Sequence, residues 1–291
     1  MSSFSLDLNE RDSSSPELLA EVEHLVDLAI AEDIGKGDIT TNLSFPHDTF
    51  CTATIRTREQ GVISGTSVAE SVFLKLPGNV SVQQLIADGS IVEANAKVLS
   101  ITGSAATVLS GERTALNFLS HLSGIATLTR KYVNAVGETS TTILDTRKTT
   151  PGMRHLEKYA VRCGGGTNHR NGLYDAILIK DNHIYLSQEL PELIARIRTE
   201  SSREITVEIE SLDQIPQVLD AGVDRILLDN MEIPILREAV QQISGRALTE
   251  ASGGVNIETV KAIAETGVDF ISVGSLTHSA PALDISLDIL G

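Results

Sequence analysis

Six short runs rich in β-branched residues and leucine follow one another after residue 140, and a helical pattern separates each run from the next. Such alternation is typical of parallel strands joined by crossover helices. The runs are apolar throughout, which fits a sheet that is covered by helices on one face and packs on itself with the other. The predicted strands are residues 142–145, 176–179, 205–209, 225–228, 247–251 and 270–273.

Polar or glycine residues stand at the carboxyl end of nearly every predicted strand. Groups at the carboxyl ends of all the strands converge on one mouth only where the sheet closes. We therefore predict an α/β protein with an incomplete (β/α) barrel of about six parallel strands, and an open doubly wound sheet is the alternative. The residues at these ends are Arg147, Lys148, Lys180, Glu208, Asp229, Ser252, Gly253, Gly254 and Gly274.

The first third of the chain has a different pattern. Ser15 and Pro16 form a helix start, and apolar residues recur at helical spacing from Leu18 to Ala29. Residues 50–57 alternate between apolar and polar, and two more β-rich runs lie between residues 81 and 103. A second long helical pattern begins at Gly111. This part predicts a helix with an antiparallel sheet.

The overall charge excludes several classes of partner. The chain has a formal net charge of −16, no Trp and only 3% aromatic residues, so it lacks the basic surface and stacking platforms of a nucleic-acid binder. A membrane surface is disfavoured for the same reason, and no apolar run has the roughly 18 residues of a membrane span. Residues 2–15 lack the pattern of a signal peptide. Cys51 and Cys163 stand far apart, which indicates reduced thiols in a cytoplasmic protein.

Residues 147–183 reverse this charge locally. They contain seven Lys or Arg and three Asp or Glu, a local charge of +4, so the remaining residues sum to −20. Basic groups at strand ends and in loops, with arginine forks that match carboxylates, predict a site for a small polyanion. Gly164–Gly166 allow close backbone approach, but no Walker A motif follows. Basic residues at helical spacing predict a solvated or phosphate-steering face: Arg154, Lys158 and Arg162.

The predicted strands after residue 200 end in acidic or small residues, not in basic ones. Glu208 and Asp229 would lie side by side over the barrel mouth, and two carboxylates beside a phosphate site suit Mg²⁺. Small residues then precede helices, where free N–H groups and the helix dipole favour phosphate. The sequence leaves open which of Glu208 and Glu210 points inward. His183 is interpreted as a structural histidine and Cys163 as an inert thiol.

Several strings, in this order, resemble quinolinate phosphoribosyltransferases, also called nicotinate-nucleotide pyrophosphorylases. The resemblance implies transfer of phosphoribose from phosphoribosyl pyrophosphate to the nitrogen of quinolinate, with loss of the 2-carboxylate. The products would be nicotinate mononucleotide, pyrophosphate and CO₂, in de novo NAD biosynthesis. The strings are EDIGKGDITT (32–41), ERTALN (112–117), DTRKTTPGMR (145–154), CGGGTNHR (163–170), LIKDNHI (178–184), LLDN (227–230) and ASGG (251–254).

The resemblance also implies roles for individual residues. Lys148 would face the pyrophosphate, and Glu208 and Asp229 would hold Mg²⁺ and the ribose hydroxyls. The 5′-phosphate would lie against Ser252, Gly253, Gly254 and Gly274. The two carboxylates of quinolinate would be bound by Arg113, Arg147, His169, Arg170 and Lys180.

The implied architecture is a homodimer in which Arg113 reaches the neighbouring subunit's site, with a hexamer as the larger alternative. The implied domains are an N-terminal α/β sandwich over 1–116, to which 280–291 returns, and the barrel over 117–279. The competing function is a phosphosugar isomerase or lyase on the same kind of barrel, which would not need five cations for a dicarboxylate. A non-enzymatic regulator would leave the crowded strand ends unexplained.

Overall fold

The computed structural model describes residues 16–46, 48–187 and 189–290. The chain divides into two compact units, and one point of division falls at Arg130, inside one long helix. The first unit runs up to Arg130 and also contains Thr149–Gly165 and the chain from Leu276 onward. The second unit consists of Lys131–Lys148 and Gly166–Ser275. Within the described ranges, no helix is both long and apolar enough to cross a membrane.

The elements are numbered along the chain. The first part contains α1 (Pro16–Asp33), α2 (Ile39–Ser44), β1 (Phe50–Thr57), β2 (Gly61–Val62), α3 (Thr66–Lys75), β3 (Val80–Gln84), β4 (Ile91–Val92), β5 (Lys97–Ser104) and α4 (Ala105–Val136). The second part contains β6 (Thr142–Leu144), α5 (Arg154–Cys163), β7 (Ile177–Ile179), α6 (Asp181–Ser187), α7 (Leu190–Glu200), β8 (Ile205–Ile209), α8 (Ile215–Asp220), β9 (Arg225–Asp229), α9 (Ile233–Ile243), β10 (Leu248–Ser252), α10 (Val260–Ala264), β11 (Phe270–Ser272), α11 (Ser275–His278) and β12 (Ile285–Leu290).

The first unit is built on a four-stranded antiparallel sheet in the order β12-β1-β5-β3. The predicted strand at residues 50–57 is confirmed as β1, and the predicted first helix is confirmed from Pro16, whereas Ser15 lies outside the described residues. The long helix α4 begins at Ala105, six residues before the predicted start at Gly111. The last strand, β12, pairs with β1 along its whole length.

The second unit contains a six-stranded parallel sheet in the order β6-β11-β10-β9-β8-β7. The predicted strands are confirmed to within one residue at either end. β6 and β7 have no ladder between them among the described residues, and the only recorded link across this gap is a bridge between Leu144 and Thr167. The expected α/β fold with a barrel-like sheet of six parallel strands is therefore confirmed, and the sheet is incomplete.

The central strands are buried on both faces, as their apolar sequences predict. Two charged residues break the pattern, because Arg225 in β9 and Glu250 in β10 are both buried. A buried charge without a partner costs several kcal/mol. Arg225 Nη1 accordingly donates to Glu250 Oε2 at 3.0 Å, and its guanidinium also lies over the ring of Phe270.

Helix α5 corrects one prediction. Lys158 was expected on a solvated face, but its side chain is buried, as is the neighbouring Glu157. The reason is that α5 packs against α1 within the first unit, so that the helix has less exposed surface than its basic sequence suggests.

Candidate active site

A cleft of about 280 Å³ opens at the carboxyl ends of the parallel strands. It brings together all the predicted site residues of the second unit that contribute side chains, whereas Arg113 lies on α4 in the first unit. The cleft is lined by Thr146, Arg147, Lys148, His169, Arg170, Leu178, Lys180, Glu208, Leu227, Asp229, Glu250, Ser252 and Ser272.

Strand ends position these side chains. Lys180 directly follows β7, Glu208 lies in β8, and Asp229 ends β9. Asp229 is in register with Ser252, the last residue of β10. Because neighbouring parallel strands end at the same edge of the sheet, residues far apart in sequence meet in one cleft.

The first side of the cleft is the cationic wall, formed by Arg147, Lys148, Arg170 and Lys180. Burial lowers the pKa of the Arg170 guanidinium, the nearby charge of Arg147 lowers it further, and Asp175 opposes this effect. Arg170 Nη1 also donates to the carbonyl oxygen of Ala176 at 3.2 Å. Two guanidiniums close enough to repel each other provide a preformed site for an anion with more than one negative charge.

The second side is the acidic wall, formed by Glu208 and Asp229. Glu208 Oε2 accepts a hydrogen bond from Lys180 Nζ at 2.6 Å, and Asp229 Oδ2 accepts one from Asn230 Nδ2 at 2.8 Å. The described residues contain no group of three or more His, Cys, Asp or Glu that could enclose a metal. Two carboxylates at an open cleft nevertheless suit Mg²⁺, which commonly takes one or two carboxylates and completes its shell with water and substrate phosphates.

The glycine rim, formed by Gly253, Gly254 and Gly274 beside Ser252, lies at the ends of β10 and β11. Gly253 has a φ of +91°, and a Cβ at this position would lie 2.1 Å from Asn230 Oδ1. Gly254 has a φ of +62°. A side chain at Gly253 is therefore excluded both by conformation and by space.

Two buried carboxylates hold Asn168 and His169, which precede Arg170 of the cationic wall, and the sequence interpretation missed both. Asp145 accepts from Asn168 Nδ2 at 2.5 Å and from the backbone N–H of His169 at 2.8 Å. Glu250 lies 3.3 Å from His169 Nε2 and also accepts from Ser272 and Arg225. The signal that could have found Glu250 is a charged residue in the middle of an otherwise apolar predicted strand.

The structure distinguishes Glu208 from Glu210, and it places His183 and Cys163 outside the cleft lining. Glu208 points into the cleft, whereas Glu210 is exposed and lines a neighbouring recess with Asp213. His183 Nδ1 accepts a hydrogen bond from the backbone N–H of Lys180 at 2.9 Å. Burial raises the pKa of the Cys163 thiol in the first unit, which disfavours the reactive thiolate.

Comparisons with known proteins match nearly the whole chain to one family. The profile described as "Quinolinate phosphoribosyl transferase, N-terminal domain" matches residues 38–123, and the corresponding C-terminal domain matches residues 125–288. A probable nicotinate-nucleotide pyrophosphorylase [carboxylating] of Bacillus subtilis is 41% identical over 92% of this chain and 93% of its own length.

Two further relatives extend the comparison. A quinolinate phosphoribosyltransferase [decarboxylating] of Nicotiana tabacum, described as mitochondrial, is 39% identical over 92% of this chain and 82% of its own length. The structure of the nicotinate-nucleotide pyrophosphorylase from Francisella tularensis superposes with a TM-score of 0.88 at 41% identity, and the match covers 93% of this chain and 96% of that one.

Proposed function

The chain belongs to the quinolinate phosphoribosyltransferase family, and we propose that the cleft between the cationic and acidic walls is its active site. The enzyme transfers phosphoribose from phosphoribosyl pyrophosphate to quinolinate with loss of CO₂, a reaction of NAD biosynthesis. The observation that supports this location is the juxtaposition of four cationic side chains with two carboxylates in one cleft. A phosphosugar isomerase or lyase does not bind a dicarboxylate and would not need so many cations beside a glycine rim.

Quinolinate binds against the cationic wall. It is a planar dianion, and the guanidiniums of Arg147 and Arg170 offer forked donors that match its carboxylates. Lys180 provides a third positive charge from the end of β7. Leu178 and Leu227 also line the cleft and supply an apolar surface for the pyridine ring.

Phosphoribosyl pyrophosphate binds across the acidic wall and the glycine rim. Glu208 and Asp229 would hold the ribose hydroxyls and Mg²⁺, and the bound metal would supply positive charge to the leaving pyrophosphate. Lys148 faces the same pyrophosphate. The backbone at Gly253 and Gly254, both with positive φ, receives the 5′-phosphate through N–H donors together with Ser252 and Gly274.

The reaction requires the protein to position the substrates and to stabilise charge more than it requires a strong base. Ribosyl transfer passes through a state in which positive charge develops on the sugar and negative charge gathers on pyrophosphate, so Lys148 stabilises the leaving end. Loss of the 2-carboxylate leaves an electron pair on carbon that the adjacent pyridinium nitrogen stabilises. Arg147 and Arg170 hold the dianion in place and replace its water, a positioning effect worth several kcal/mol.

The assembly is a homodimer in which Arg113 of one subunit reaches the other subunit's quinolinate site, and a hexamer would be built from such dimers. The support for this proposal is that Arg113 is exposed on α4, in the string ERTALN that the family resemblance singles out. The cytoplasm is the proposed compartment, since both cysteines are free thiols.

A direct assay tests the function. Purified protein is mixed with quinolinate, phosphoribosyl pyrophosphate and Mg²⁺, and nicotinate mononucleotide and CO₂ are measured in equal amounts. The same assay with nicotinate in place of quinolinate is the control, because nicotinate lacks the 2-carboxylate. Product from nicotinate and none from quinolinate would refute the proposal. Omission of Mg²⁺ with excess chelator tests the metal separately.

A further inference from the structure

Asn230 directly follows β9 and is one of three non-glycine residues with a positive φ in the described part of the chain. Its φ is +53°, in the left-handed region that most side chains avoid and that asparagine tolerates well. Its backbone N–H donates to the carbonyl oxygen of Ser252 at 2.9 Å, which extends the ladder between β9 and β10 beyond Asp229. The backbone of Asn230 is therefore fixed at the edge of the sheet where the cleft opens.

The side-chain amide of Asn230 contacts the acidic wall. Its Nδ2 donates to Asp229 Oδ2 at 2.8 Å. The reversed amide would place Asn230 Oδ1 against a carboxylate oxygen, so this hydrogen bond also decides which end of the amide faces Asp229. Asp229 lines the cleft, whereas Asn230 does not. One oxygen of the Asp229 carboxylate is thus held from outside the cleft, and the other can meet a ligand within it.

The glycine rim leaves room for this amide. A Cβ on Gly253 would collide with the Oδ1, the Cγ and the backbone nitrogen of Asn230. The amide therefore occupies the volume that any side chain at position 253 would need, with Asp229 at its other end. The absence of a side chain at Gly253 and the orientation of the Asp229 carboxylate are linked through one residue.

The residue type at position 230 is informative, because glycine would adopt the same backbone with less strain. Glycine occupies most of the positions with a positive φ among the described residues, such as Gly222 and Gly245. Asparagine adds a donor that carries no charge. It can orient the carboxylate of Asp229 and still leave its negative charge available, whereas a lysine or arginine at this position would compete with a bound cation.

We propose that Asn230 is a positioning residue for phosphoribosyl pyrophosphate, whose amide orients the Asp229 carboxylate into the cleft in the space that Gly253 leaves open. The two carboxylates of the acidic wall then differ in how they are held. Glu208 accepts from Lys180, a residue of the cationic wall, whereas Asn230 can hold Asp229 whether or not substrate is bound. This inference rests on the proposed function for the identity of the ligand.

Asn230→Gly tests the proposal, since glycine keeps the positive φ and the backbone N–H to Ser252 and removes only the amide. Calorimetric titration measures the binding of phosphoribosyl pyrophosphate with Mg²⁺ in the presence of phthalate. Phthalate has the two carboxylates of quinolinate but no ring nitrogen to attack the sugar, so no turnover occurs. We expect the Kd for phosphoribosyl pyrophosphate to rise about tenfold and the Kd for phthalate to stay unchanged. Binding equal to that of the wild type would overturn the proposal.

Asn95→Gly is the matched control. Asn95 is also exposed, has a φ of +69°, and donates its backbone N–H to the carbonyl oxygen of Thr57 at 2.9 Å within the first unit. Both variants should unfold at nearly the same temperature, and only Asn230→Gly should lose affinity for phosphoribosyl pyrophosphate. An equal loss in Asn95→Gly would assign the effect to a looser backbone and contradict the positioning role.

Asn230→Asp separates hydrogen bonding from space filling. Aspartate has nearly the same shape and fits beside Gly253, but its carboxylate cannot donate and repels Asp229. We expect this variant to weaken the binding of phosphoribosyl pyrophosphate at least as much as Asn230→Gly. Wild-type affinity in Asn230→Asp would show that the residue only fills space, which would refute the proposal.

A double-mutant cycle tests whether Asn230 acts through its neighbour. In an Asp229→Ala background, Asn230→Gly should weaken binding by less than about twofold, because the carboxylate that it orients is gone. A further tenfold loss would demonstrate an independent role and overturn the inference. A wild type that fails to bind phosphoribosyl pyrophosphate or to convert quinolinate would refute the proposed function. An active wild type with an unaffected Asn230→Gly variant would refute this inference alone.

Discussion

The two walls of the cleft are built from different parts of the same sheet. The cationic wall comes from the edge strands β6 and β7 and from the segment between them, where the ladder is interrupted. The acidic wall comes from β8 and β9, each of which is paired on both sides. In the segment between β6 and β7, Asp145 and Glu250 hold His169 from the interior. The central carboxylates are positioned by the ladders themselves.

Lys180 of the cationic wall forms an ion pair with Glu208 of the acidic wall at 2.6 Å. This pair must loosen when quinolinate takes the lysine and the ribose takes the carboxylate. The comparison therefore predicts that substitutions in the cationic wall weaken the binding of quinolinate. Substitutions in the acidic wall or the glycine rim should instead weaken the binding of phosphoribosyl pyrophosphate.

The largest expected effect comes from Arg147→Ala. Removal of a forked donor to a desolvated carboxylate is expected to weaken quinolinate binding by about 1000-fold, close to 4 kcal/mol, while phosphoribosyl pyrophosphate binds as before. Calorimetric titration with each substrate measures this directly. Arg237→Ala, on the exposed surface of α9, is the control and should bind both substrates normally. Unchanged quinolinate affinity in Arg147→Ala would remove the cationic wall from the site.

The buried carboxylate of Glu250, which contacts His169 beside the cationic wall, should affect stability in acid. The pKa of Glu250 is depressed to about 2 from a usual 4.5, so its charge stabilises the fold above pH 4.5 and this contribution is lost as the pH falls toward 2. Its size is on the order of 3 kcal/mol. Urea unfolding of wild type and Glu250→Gln across this pH range should give a difference in unfolding free energy that shrinks as acid is added. A difference independent of pH would contradict the depressed pKa.

On the acidic wall, Asp229→Asn is expected to lower the affinity for phosphoribosyl pyrophosphate and Mg²⁺ by about 100-fold and to leave quinolinate binding intact. Titration of the activity with Mg²⁺ at fixed substrate concentrations measures the shift. Glu210→Gln is the matched control, since Glu210 is an exposed carboxylate just beyond the end of β8 and does not line the cleft. An Mg²⁺ dependence equal to that of the wild type would argue that Asp229 does not hold the metal.

The smallest effect is expected at the glycine rim. Gly253→Ala forces a Cβ against Asn230 and strains a backbone with a φ of +91°, at a cost of about 1–3 kcal/mol. The KM for phosphoribosyl pyrophosphate should rise about tenfold with quinolinate unaffected. Gly245→Ala has a similar φ of +72° but open space, so it should cost a little stability and change neither KM. The same KM in Gly253→Ala as in the wild type would show that the rim does not contact the substrate.

The sequence predicted the parts that depend on local pattern. Continuous apolar runs located all six parallel strands, and residues at strand ends predicted the contents of the cleft. These predictions succeed because consecutive residues alone indicate both that a strand is buried and where it ends.

The parts that depend on contacts distant in sequence were not predictable. Lys158 looks like a surface residue until α1 is known to pack against its helix. Asp145 and Glu250 lie 105 residues apart, yet both anchor His169. No spacing rule links such positions, because the tertiary packing of the strands determines which residues come into contact.

The pairing of first with last strands governs when this protein can fold during synthesis. Within the described part of the chain, β6, which leads to Arg147, forms a ladder with β11 alone, and β1 pairs with β12 and β5. β11 and β12 emerge from the ribosome more than 120 residues after β6 and β1, respectively. A nascent chain must therefore shield two unsatisfied strand edges until nearly its whole length is made. Deletion of β11 and β12 would therefore destabilise both units.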